Sequence, residues 1–108
     1  MDRFLIVYRG AADGSKDAPP RAPGGWRDWF ARLGDAVVDP GSLAAAAVEI
    51  PNRLLGPKES TSSLSGYAVV QAVDFNAAVA LAEACPIFDE GGSVEIARLA
   101  GAPDASPG

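Results

Sequence analysis

The chain has 108 residues, a formal net charge of −5 and 48% hydrophobic residues, which suits one globular domain with a modest core. Its acidity argues against nucleic acid or an anionic membrane as partner, because phosphate binding needs clustered Lys and Arg. With no histidine and one cysteine, imidazole catalysis, an internal disulfide and a zinc site built on several thiolates are all excluded.

In chain order, Phe4, Ile6 and Tyr8 alternate with Leu5 and Val7, and both sets are apolar, which predicts a strand buried on both faces. This run is bounded by Arg3 and Arg9 and is too short for a signal-peptide core or a membrane span, so cytoplasmic residence is expected. Residues 10–25 carry Ala, Gly, Pro, Lys and Asp without a period and read as a surface loop. Trp26, Trp29, Phe30 and Leu33 then recur at helical spacing, and Gly34 can close that helix. The tryptophans read first as core; as a functional element they would form an aromatic wall for a ligand, with Trp29 as its candidate. Ala36 to Val38 predicts a short strand between Asp35 and Asp39, and Pro40-Gly41 is a turn signal. The stretch SLAAAAVEI is helix or strand by composition, and Asn52 to Ser63 reads as a hairpin tip.

The second half is the clearest. Tyr67 to Val73 predicts a buried strand, Asp74 a helix cap, and Phe75, Ala78, Val79, Ala82 and Cys85 one apolar stripe of a helix over residues 75–85. Pro86 stops that helix, Gly91-Gly92 supplies a turn, and Ser93 to Leu99 alternates as a last strand. Residues 100–108 have no apolar face and are expected to be a disordered tail after a single domain over 1–99.

The phrase GYAVVQAVD, a helix ending in CP, and then GGSVEI resemble the YCII-related proteins; the likeness extends to the first strand and to GWRDWFARLGDAVVDPG. The resemblance implies an α+β fold, a ferredoxin-like β-α-β-β-α-β antiparallel sheet with helices on one face. Two such sheets pressed together would make a homodimer, a dimeric α+β barrel. Together with Pro51 it favours an extended reading of Ala46 to Ile50.

Candidate chemistry is sparse. Asp74 matches the acidic residue that the family places at the start of the second helix, proposed there to act with a histidine; this chain lacks the histidine, and capping is the stronger reading. Asp35 and Asp39 could join Asp74, Glu49 or Glu95 in an acidic pocket for a hard cation, although their spacing matches no metal loop. Cys85 reads as a small buried hydrophobe. Tyr8, Tyr67 and Gln71, taken as sharing one sheet face, would offer a pocket for a small organic ligand or a dimer interface. No cofactor signature is present. The expected role is a dimeric ligand- or partner-binding accessory domain; the alternative is an isomerase, monooxygenase or hydrolase acting on a small organic compound, with Asp74, Asp35 or a tyrosine moving a proton.

Overall fold

The computed structural model describes residues 1–10 and 25–101. The expected loop over 10–25 and the expected tail therefore lie almost wholly outside the described residues. The chain is α+β. Strands β1 (Asp2–Arg9), β2 (Val37–Leu43), β5 (Leu64–Ala72) and β6 (Ser93–Arg98) form a four-stranded sheet in the order β2-β5-β1-β6. Antiparallel pairing holds throughout. Helix α1 (Gly25–Leu33) lies between β1 and β2 in sequence, and α2 (Phe75–Ala82) between β5 and β6. Strands β3 (Val48–Glu49) and β4 (Lys58–Glu59) make a separate two-stranded ribbon.

Alternation explains the layering. Phe4, Ile6 and Tyr8 of β1 and Ala68, Val70 and Ala72 of β5 point to one side and are buried there under Trp29, Ala78, Ala82, Cys85 and Ile87. The opposite face carries Leu5, Val7, Val69 and Gln71, half-buried only by their own neighbours, and exposed Tyr67. The strands were expected to be buried on both faces; in one chain a single face is covered, because both helices pack on the same side.

The helices follow their sequence patterns with shorter bounds. In α1 the stripe Trp26, Trp29, Phe30 and Leu33 faces the core, and the Trp29 indole donates to the Leu81 carbonyl at 3.0 Å, tying α1 to α2. Helix α2 ends at Ala82 rather than Cys85. Ala78 and Ala82 are buried, but Phe75 and Val79 of the predicted stripe remain about 40% exposed, because the small side chains sit directly over the sheet.

Two expectations for the middle are corrected. Pro40-Gly41 is no turn: β2 runs through it to Leu43, with register shifts against β5 on either side of Asp39. Asp39 accepts a hydrogen bond from the Gly41 amide at 2.9 Å, and Gly41 adopts φ 64°, so the pair forms a bulge. A side chain there would fall on the Tyr67 carbonyl, its Cβ 2.7 Å from the carbonyl carbon. The predicted strand Ala46 to Ile50 shrinks to Val48–Glu49 and pairs with β4, outside the main sheet. Proline at 51 and the alanine run, which offers nothing to pack, leave it only a short ribbon.

Candidate functional site

The structure distributes the sequence-derived site residues over three places. Tyr8 lies on the covered face, opposite Gly66, whereas Tyr67 lies opposite Val7 and points the other way. The single pocket expected from Tyr8, Tyr67 and Gln71 is therefore divided by the sheet itself. The cause is parity: across an antiparallel pair, facing residues share a side, and Tyr8 is one residue out of step with the partner of Tyr67.

Tyr8 joins an aromatic cluster with Trp26 and Trp29, at ring-centroid distances of 4.9 and 6.3 Å, both edge-on. Trp29 is thus a core wall between α1 and the sheet. At its margin the Trp26 indole donates to the buried Glu90 carboxylate at 2.7 Å. The Tyr8 hydroxyl is buried without a hydrogen-bond partner among the described residues, and burial, then the neighbouring Cys85 thiol, raise its pKa far above the ordinary phenol value. Burial likewise pushes the Cys85 thiol up to about 11, with Glu90 and Asp89 adding to the rise against a backbone hydrogen bond from Ile87. Both groups are held neutral at pH 7, which suits packing and not nucleophilic or base chemistry.

The second place is the open sheet face. Leu5, Val7, Tyr67, Val69 and Ala97 form its apolar centre by register. Arg9 and Glu95 pair across β1 and β6 at 2.8 Å on the same side. Gln71 donates to the backbone carbonyl of Asp35 at 3.0 Å, so two of the predicted residues do meet, although through the main chain of Asp35 and not its carboxylate. Asp39 and Ser42 of β2 align with Val69 and Tyr67 and complete the face toward the sheet edge.

The third place is Asp74, at the far end of β5. Its carboxylate accepts from the Ala77 amide at 2.8 Å and caps α2, with the backbone extended at the cap position. The acidic residues do not share a pocket: Asp39 serves the bulge, Glu49 accepts from the Thr61 amide and hydroxyl, and Glu95 faces Arg9. Those Thr61 hydrogen bonds lower the Glu49 pKa. Among the described residues no three His, Cys, Asp or Glu side chains group as metal ligands would.

One feature escaped the sequence reading. Between α2 and β6, on the covered side, a cleft of about 360 Å³ is lined by Phe75, Val79, Ala82, Phe88, Val94 and Ile96, with Glu83 its one charged wall. The Arg98 guanidinium lies 5.7 Å from the centre of the Phe75 ring at the end of the same strand. The signal was in the sequence: Phe75 and Val79 on a helix whose buried positions are alanines leave large side chains standing beside the sheet.

No family model, no curated protein and no solved structure matches this chain. Among the described residues no helix is long and apolar enough to cross a membrane.

Proposed function

We propose that this chain is a homodimeric binding module of the YCII-related type, in which two copies press their open sheet faces together and take up a small organic ligand or a protein partner without chemistry of their own. The observation that carries the reading is the open face: Leu5, Val7, Tyr67, Val69 and Ala97 present a continuous apolar surface on a sheet covered by helices on one side only. A surface of that kind is costly to leave in water and commonly marks an interface. The strand order β2-β5-β1-β6 with one helix in each crossover fits a ferredoxin-like arrangement, and a face-to-face pair of such sheets would be a dimeric α+β barrel.

A non-catalytic role is supported by the occupation of each reactive group. Asp74 is spent on a helix cap, the Cys85 thiol and Tyr8 phenol are kept protonated by burial, and the Asp35 carboxylate is exposed. The ligand space lies between facing copies of Tyr67 and Gln71, where a phenol and an amide stand beside an aliphatic floor. Native mass spectrometry of freshly purified protein tests this. A dimer mass supports the module, and an added small-molecule mass would identify its ligand; a monomer at micromolar concentration would contradict it.

A further inference from the structure

The ribbon between β2 and β5 is a hydrogen-bonded arm standing apart from the main sheet. Its tip is built: the Asn52 carboxamide oxygen accepts from the Leu55 amide at 2.8 Å, and the Asn52 carbonyl from the Gly56 amide at 3.1 Å. Glu49 ties the base through Thr61. Yet Val48, Ile50, Leu54 and Leu55 are 72, 66, 94 and 70% exposed. Four large aliphatic side chains on a hydrogen-bonded projection are a recognition surface, because an arm that merely linked two strands would carry polar residues there.

On the basis of the dimer proposed above, we infer that this arm docks on a second copy of the chain, with Leu54 and Leu55 filling the cleft between α2 and β6 and Arg53 facing Glu83. Two observations agree. The first is chemistry: the cleft is walled by Phe75, Val79, Phe88, Val94 and Ile96, with Glu83 as its charge, and the tip sequence Arg53-Leu54-Leu55 offers two aliphatic knobs beside one cation. Two leucine side chains are of a size that 360 Å³ can accept.

The second is placement. The arm leaves the sheet where β5 begins, and Arg9 pairs there with both Leu64 of β5 and Ser93 of β6, so the arm stands at the Val94 end of the cleft, while the Phe75 end of the cleft lies beside Phe4 and Arg98 at the other end of the sheet. They belong to opposite edges, since β2 and β6 are the outer strands. A two-fold axis parallel to the strands, between two facing sheets, keeps that end and exchanges the edges. It lays the β2 edge of one copy along the β6 edge of the other, and both arms reach both clefts at once, closing the pair as a symmetric dimer.

Sedimentation of the full chain decides the matter. Leu54→Asp, at a position so exposed that the fold does not depend on it, is expected to weaken dimerisation about 10- to 100-fold. Arg53→Glu and Glu83→Arg should each weaken it several-fold, and the double exchange should restore it. Unchanged dimerisation in Leu54→Asp, in a chain whose dimer Val69→Arg still breaks, would overturn the arm while leaving the sheet-face dimer standing. Failure of the double exchange to restore would overturn the cleft as the docking place, and a monomeric wild-type chain would overturn both.

Discussion

Gly41→Ala probes the bulge that carries β2 along the sheet edge. Gly41 sits at φ 64°, where an L residue costs about 1–2 kcal/mol. Its new Cβ would also fall on the Tyr67 carbonyl and within 3.1 Å of the Ala68 Cα, both of them backbone of the neighbouring strand and unable to swing away. Relief requires β2 to part from β5 locally, giving up about two ladder hydrogen bonds at about 1 kcal/mol each. The sum is about 3–4 kcal/mol. Gly34→Ala is the control, because φ there is 55° and nothing stands within 4 Å of the added carbon, leaving only the conformational cost of about 1–2 kcal/mol. Urea unfolding followed by the fluorescence of Trp26 and Trp29, at one fixed protein concentration, separates the two. Equal losses in the two variants would refute the close approach of β2 to β5 at the bulge.

The remaining predictions concern the cap and the buried thiol. Asp74→Ala should cost about 1 kcal/mol and Asp74→Asn only a few tenths, as read by thermal unfolding, with dimerisation unchanged in both; a larger loss in Asn than in Ala would contradict capping. Because the Cys85 thiol titrates near 11 when folded and near 9 when unfolded, the unfolded chain releases its proton first. Stability from this group is therefore complete below about pH 9 and falls as pH rises toward 11, by roughly 1–2 kcal/mol. In Cys85→Ala the part of the alkaline loss that begins near pH 9 should vanish, while the later part from the buried Tyr8 phenol persists; an unchanged profile would contradict burial of the thiol.

The elements with a strong period were legible in the sequence. The α1 stripe of Trp26, Trp29, Phe30 and Leu33, the cap at Asp74 and the final strand all emerge from spacing alone, because each is fixed by neighbours a few residues away. What the sequence hid depends on distant pairing. The bulge at Asp39–Gly41 exists because β5 lies against it, and Pro40-Gly41 read locally is indistinguishable from a turn. The face on which Tyr8 points depends on register between β1 and β5, where a step of one residue exchanges sides, so the residues gathered into one pocket belong to two. The cleft beside α2 was hidden for a related reason. A 3.6-residue stripe predicts which side chains face the sheet, but not that alanines at 78 and 82 bring the helix close while Phe75 and Val79 overhang its edge.

The central claim, that the open sheet face joins two copies, is tested most directly by sedimentation velocity of the wild-type chain and of Val69→Arg side by side over a range of concentrations. Val69 stands in the middle of that face and not in the helix-covered core, so the variant should keep its fold by circular dichroism. The account predicts a wild-type dimer and a folded Val69→Arg monomer. A folded Val69→Arg chain that sediments as the same dimer would contradict it.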